Sequence, residues 1–360
     1  MKKAFSLAVA VLLILSLLFT AVSCGKDNTA ESTAEPVSTE EPALTEEPAA
    51  TETPTETEEP TEETAMPPEP DSPAPLLWRV TDADGHELYL FGTIHVGDER
   101  NDDVLERISP VFEGCDALAV EFDLVAYEKN TQMLMSDMVQ YVLTDGSVVS
   151  DYMPEELYQS TYELLQKAGL FPSVFRQYNL AWWSQMVDSA MLEVYSSLDA
   201  NKGMDRMLIR SAYEKNIPVL DVESAAFQMA LLNSFDNELY LLKIEEALNS
   251  TETYDSDLTK LYELWLSGDR DTFWKYIAGD NDAGETDGDY TQEQQAMIED
   301  YNRQILDERN LGMRDKAIEY LNSGETVFFA VGAAHMANDA GLVKLLTDAG
   351  YTVELYIYGD

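Results

Sequence analysis

Leu88-Tyr89-Leu90-Phe91-Gly92-Thr93-Ile94-His95 decides the fold together with a second stretch far downstream, Val327-Phe328-Phe329-Ala330-Val331-Gly332-Ala333-Ala334-His335. Each is an apolar run that ends in Gly-x-x-His. Runs of this length, rich in Val, Phe, Tyr and Leu, predict buried strands. A glycine just beyond a buried strand lets the backbone turn sharply or approach a ligand closely. The histidine then stands where strand gives way to loop, the edge at which open α/β sheets bind ligands. The chain has only 3 histidines, and two of them end these matching runs. A hydrogen-bonded structural histidine is the plainer reading of either one alone; the pair in one local context points to a shared site.

The start of the chain has a different character. Met1-Lys2-Lys3 and the apolar residues 4–22 form a basic n-region and an h-region. Ala21-Val22-Ser23-Cys24 resembles a bacterial lipobox, which predicts a signal peptide over residues 1–23 and a lipid on the Cys24 sulfur. An uncleaved anchor helix is the alternative, and the apolar segment is marginally short for it. Either reading puts the rest of the chain outside the cytoplasm, on the membrane. Residues 24–75 are then the lipidated cysteine and a tether of Thr, Glu, Pro, Ala and Ser. Such a segment buries too little apolar surface to order itself, and a flexible chain of that length reaches roughly 40 Å.

Residues 76–360 form the folded part. The whole chain carries 22 basic and 68 acidic residues, a net charge of −46, which excludes a basic phosphate-binding face and so nucleic acid as a partner. Cys115 has no disulfide partner once Cys24 is lipidated and reads as a small buried hydrophobe. Asp82-Ala83-Asp84-Gly85 between two β-prone runs predicts a hairpin, with His86 at its turn, in solvent and outside the site.

A helix is expected over residues 103–113 and a strand over 117–124. The carboxylate of Glu121 interrupts that apolar run and needs a cation, a metal or several donors as a partner. Asp123, two residues on, is expected on the same face. Residues 126–200 read as helical, with a Met and aromatic stripe between Phe175 and Leu192 taken as core rather than as a ligand groove. Lys202-Gly203-Met204-Asp205 opens a helix, and residues 216–223 form a third strand that ends in Glu223. Helices are expected over 225–247, 257–277 and 291–323, with an acidic glycine-rich loop over 279–290 between the last two. A βαβ unit closes the chain, with a helix over 340–349 and a strand over 351–358. The fold class is α/β, with a central, mostly parallel sheet flanked by helices and a helical insertion at about 126–200.

These residues resemble the TraB/PrgY/GumN family, related to the TIKI metalloproteases. The matching segments are Trp78-Arg79-Val80, Leu90 to His95, Val120-Glu121-Phe122-Asp123, Gly203-Met204-Asp205, Val219 to Glu223 with Gln228, Glu308-Arg309-Asn310 and Gly332 to His335. Where family members often read Leu-Glu, this chain has Asp221-Val222-Glu223. The resemblance implies a divalent metal site made by His95, His335 and Glu121. Two imidazoles and a carboxylate with a position left for water suit a catalytic metal, be it zinc, manganese, cobalt or iron.

Glu223 or Asp205 is the candidate general base. Arg309 either stabilises an oxyanion or pairs with a buried carboxylate, the more ordinary role. Metal affinity is expected to fall below the histidine range near ~6.5. No Gly-x-Ser-x-Gly elbow appears in the folded part. The function this implies is a membrane-anchored hydrolase of peptide or related amide or ester bonds. The alternative is a surface lipoprotein that captures a peptide or small ligand in the same pocket without turnover. Nothing in the chain specifies an oligomeric state.

Overall fold

A hairpin starts the fold, as its turn chemistry predicts. β1 (Leu77–Thr81) and β2 (Glu87–Thr93) pair antiparallel with Leu77 opposite Phe91 and Thr81 opposite Glu87. Asp82 closes the turn by accepting from the backbone N–H groups of Asp84 and His86, and Gly85 takes φ +89° there. His86 stays at the turn with its ring on Asp82, well away from the site. The structure is a computed structural model and describes residues 74–278, 290–337 and 339–358. The signal peptide, Cys24, nearly all of the tether and the acidic loop lie outside the described residues. Ala74 and Pro75, grouped with the tether by composition, are already tied to the domain. Ala74 N–H donates to Leu266 O, and Pro75 O accepts from the Tyr358 hydroxyl.

The remaining strands are β3 (Ala117–Val120), β4 (Val219–Asp221), β5 (Val327–Gly332) and β6 (Thr352–Leu355). They form a six-stranded sheet in the order β4-β3-β5-β2-β1-β6. Every pairing from β4 to β2 is parallel, and β1 alone runs against its two neighbours. The sheet is therefore mostly parallel, and the fold is α/β. β2 and β5 are adjacent and in register, Gly92 beside Val331 and Thr93 beside Gly332. That adjacency brings two histidines 240 positions apart to one edge.

Both faces of the sheet are covered, which is why its strands read as continuous apolar runs. Leu88, Leu90, Val327 and Phe329 meet Met313, Ala317 and Leu321 of helix Arg309–Ser323 on one face. Phe91, Leu118 and Phe328 meet Ile108 and Phe112 of helix Arg100–Phe112 and Leu208 of helix Met204–Lys215 on the other. Cys115 is buried and its thiol donates weakly to Val111 O.

The helical insertion is more broken, and wider, than its apolar spacing suggests. The helical reading of residues 126–200 is interrupted at Asn130, whose side chain accepts from Met133 N and caps a new helix, Thr131–Met138. Asn179 likewise caps Leu180–Tyr195, accepting from Trp182 N. Such caps satisfy backbone donors that a continuous helix would bond internally. Trp182, Trp183, Met186 and Met191 are core, as expected. This helix packs on Glu155–Lys167 and also on Asn237–Asn249, so the bundle recruits chain from beyond β4. Between residues 292 and 323 one helical rod holds a π-turn, Arg303–Glu308, immediately before Arg309. Among the described residues no helix is long and apolar enough to cross a membrane.

Candidate functional site

His95 lies two residues beyond β2 and is 3% exposed. The segment carrying it is clamped by Gly203. A Cβ on Gly203 would sit 2.4 Å from the His95 carbonyl oxygen, so only glycine allows this approach. Met204 N–H donates to Ile94 O at 2.7 Å, and helix Met204–Lys215 begins there. Asp205, in its first turn, places Oδ1 2.8 Å from His95 Nδ1. A carboxylate only accepts, so Nδ1 carries the proton and Nε2 carries the lone pair. Gly-Met-Asp is thus one device: glycine for approach, backbone for docking, aspartate for the tautomer.

The second arm is built the same way. After Gly332 a 3₁₀ turn, Ala333–Met336, carries His335, also 3% exposed. The turn packs on the end of β2, where a Cβ on Gly92 would lie 3.0 Å from Ala333 Cα. Asn310 Nδ2 donates to Ala340 O at 2.9 Å, which turns Oδ1 toward His335 Nδ1 at 2.7 Å. His335 therefore also donates from Nδ1 and keeps its lone pair on Nε2. Burial, reinforced by the Arg309 charge, pushes its pKa down to about 3, so the ring is neutral at ordinary pH.

Glu121 stands just past β3 and is 8% exposed. Its Oε2 accepts from Arg309 Nη2 at 2.6 Å and Gln228 Nε2 at 2.9 Å, and its Oε1 accepts from Gly332 N at 3.0 Å. Arg309 also grips Glu223 through Nε at 3.0 Å and Nη2 at 2.7 Å, while Gln228 bridges to Glu223 at 2.9 Å. Burial by itself would raise the Glu121 pKa; the Arg309 guanidinium, the two nearby imidazoles and the Gly332 N–H together more than offset this and hold the carboxyl ionised, well below its usual range. The same pair of carboxylates raises Arg309 against its own burial. The π-turn ahead of Arg309 belongs to a class of helix distortion frequent at functional sites.

The three donors converge. A Cβ on Gly332 would lie 3.3 Å from Glu121 Oε1, 3.6 Å from His335 Cδ2 and 3.8 Å from His95 Nε2. In type and direction the set fits a borderline divalent ion: two imidazole lone pairs and a carboxylate oxygen, with each ring held from behind as metal-ligating histidines are. In spacing it is somewhat open. His335 Nε2 and Glu121 Oε1 are 3.9 Å apart, wider than the roughly 3.3 Å between two ligands of a tetrahedral zinc-sized ion. Among the described residues no group of three or more His, Cys, Asp or Glu side chains is placed so that it could hold a metal ion as it stands.

One expectation needs correction. Asp123 does not share the Glu121 face: β3 ends at Val120, and Asp123 caps helix Leu124–Lys129 and accepts from the Tyr213 hydroxyl. Of the two candidate bases, Asp205 contacts His95 through Oδ1 and Glu223 is held by Arg309. Sequence reasoning assigns no role to Gln228 or Asn310; the signal for each is its place in a motif beside an assigned residue.

A small cavity with about 250 Å³ of unfilled space opens onto these groups, lined by Thr93, His95, Glu121, Asp205, Val120 and Phe122 among others. Another of similar size, between Trp78, Trp265, Trp274 and Met336, has apolar walls.

A model of the TraB/PrgY/gumN family matches residues 76–355, and the chain belongs to that family. It is similar to the uncharacterized protein YbaP of Escherichia coli K12, 26% identical over 264 residues that cover 72% of this chain and 87% of that protein. It is also similar to YbaP of Shigella flexneri, 27% identical over 263 residues with the same coverage of 72% and 87%. No solved structure matches.

Proposed function

We propose that this chain is a metal-dependent hydrolase of peptide or related amide or ester bonds, held on the extracytoplasmic face of the cell membrane by a lipid on Cys24. The observation that supports the chemistry is the convergence of two imidazole rings and one carboxylate oxygen around Gly332. A cation among such groups would offset the repulsion between their electron-rich atoms. His95, His335 and Glu121 would hold the ion, which when bound supplies an acidified water and a polarised carbonyl. Asp205 and Asn310 keep both rings in the one tautomer that presents Nε2. Arg309 fixes Glu121 in its charged form, and Glu223 with Gln228 fixes Arg309.

Capture without turnover is the second reading. It is favoured by the engagement of Glu223 and Asp205, which leaves no spare carboxylate to take a proton.

Metal analysis of the purified full chain with a peptide-library cleavage assay tests both readings. The hydrolase reading expects one divalent ion per chain, lost in His95→Ala and in His335→Ala with helical circular dichroism retained, and cleavage that goes with the ion. A wild-type chain that takes up no divalent ion would end the metal reading. A metal-loaded chain that retains library peptides uncleaved would leave capture.

A further inference from the structure

Thr93 is the last residue of β2 and is 1% exposed. Among the described residues its hydroxyl has no hydrogen-bond partner, although a buried hydroxyl is normally paired. It lines the same cavity as His95, Glu121 and Asp205, over an apolar floor that includes Val120 and Ala330. The register explains why that space exists. Thr93 pairs with Gly332 on β5, and neighbouring side chains in register project to one face of a sheet. Gly332 has no side chain, so the place beside Thr93 stays open toward Glu121 Oε1 and His95 Nε2. The enclosed part of the cavity has room for about one water molecule. A water in such a space needs two to four polar partners, and a hydroxyl, an imidazole and a carboxylate supply them.

We propose that Thr93 is a water-positioning residue: its hydroxyl holds, beside His95 and Glu121, the water consumed in hydrolysis. The assignment rests on the hydrolase reading. In that reaction the water oxygen bonds to the acyl carbon, the bond from that carbon to nitrogen or oxygen breaks, and one water proton ends on the leaving amine or alcohol. Thr93 changes neither charge nor protonation. It orients the water through one hydrogen bond that a valine of the same shape cannot make.

The test uses the full chain as wild type, Thr93→Val and Thr93→Ser. In crystals of the metal-free protein, an ordered water should lie within hydrogen-bond distance of Thr93 Oγ1. It should be lost in Thr93→Val and kept in Thr93→Ser. With any peptide the wild type cleaves, Thr93→Val should lower kcat about tenfold or more, as misplacement of a reactant does, with KM, metal content and melting temperature unchanged. Thr93→Ser should recover most of the rate. A dry cavity in the wild type, or a valine variant with wild-type kcat, overturns the assignment. Failure of the hydrolase reading shows separately, as a wild-type chain that neither loads metal nor cleaves.

Discussion

Two of the places where the described residues bury charge treat it in opposite ways. At the sheet edge Glu121, Glu223 and Arg309 are cross-braced by four hydrogen bonds from Arg309 and by Gln228, and despite burial Glu121 is more acidic than usual. In the helical bundle Lys243 is 4% exposed, but its Nζ stands 3.8 Å from Asp188 Oδ2, beyond hydrogen-bond reach. Among the described residues, Asp188 Oδ2, Glu246 Oε1 and the Tyr254 and Tyr301 hydroxyls have no hydrogen-bond partner. Burial pushes the pKa of Asp188 up to about 6 and that of Glu246 up to about 7, with Lys243 only partly opposing it. The same physical cost, removal of a carboxylate from water, is met by directed donors in one region and left to protonation in the other. Preorganised charge is what a site needs if it is to bind a cation without rearranging first.

The sharpest way to break the contrast is to remove the brace. Arg309→Met leaves Glu121 and Glu223 buried together with only Gln228 between them. Breaking a buried pair this way costs about 3–5 kcal/mol, so urea unfolding should move to much lower denaturant. Glu121→Gln, which keeps the shape and removes one charge, should cost less. If Arg309→Met unfolds like the wild type, the brace carries no stability and the contrast with the bundle is lost.

A smaller effect is expected at Gly203. A methyl group there would meet the His95 carbonyl oxygen at 2.4 Å, which forces the helix carrying Asp205 away from the imidazole. Gly203→Ala should lose about 1–3 kcal/mol of stability, as overpacked positions do. Histidine proton NMR should also show the His95 Nδ1–H signal altered while that of His335 stays. An unchanged His95 signal would mean that the clamp does not hold the tautomer.

The fold and the site were legible to different depths. The two Gly-x-x-His strands could be read because burial on both faces makes an apolar run unmistakable, and Gly92, Gly332 and the histidines mark its end. Glu121 stood out because a carboxylate in such a run demands a partner. The identity of that partner was not local: Arg309 is 188 positions away and is aimed by a π-turn that has no periodic signature. Asp123 was misplaced by extending the two-residue alternation past Val120, where an Asx cap had already turned the chain into helix. The helical rods broke at Asn130 and Asn179 for the same reason, since a side-chain cap competes with the periodic pattern without disturbing it. The bundle's polar cluster was invisible because Lys243, Asp188 and Glu246 look like ordinary surface residues until helices from two parts of the chain face each other.

The smallest effect lies in that bundle and is read from pH. Asp188 and Glu246 ordinarily titrate at 3.8 and 4.5, and in the folded protein at about 6 and about 7. Between those values the native state holds protons that the unfolded chain has released. Their contribution to stability is therefore full below about pH 4 and is lost as pH rises through about 6 to 7. Above that range both carboxylates are ionised in a poorly hydrated space with Lys243 as the shared cation and two tyrosine hydroxyls nearby. Glu246→Gln removes one of the two losses and leaves Asp188 to face Lys243. Melting temperatures measured from pH 5 to 8 should fall more gently in Glu246→Gln than in the wild type. The two curves should be separated at pH 8 by on the order of 1 kcal/mol, an amount reduced by water that reaches the half-buried glutamate. Glu121→Gln should show no such pH-dependent gain, because its carboxylate is already ionised throughout that range. Parallel curves for wild type and Glu246→Gln would mean that the bundle carboxylates find partners after all, and the two regions would then handle buried charge alike.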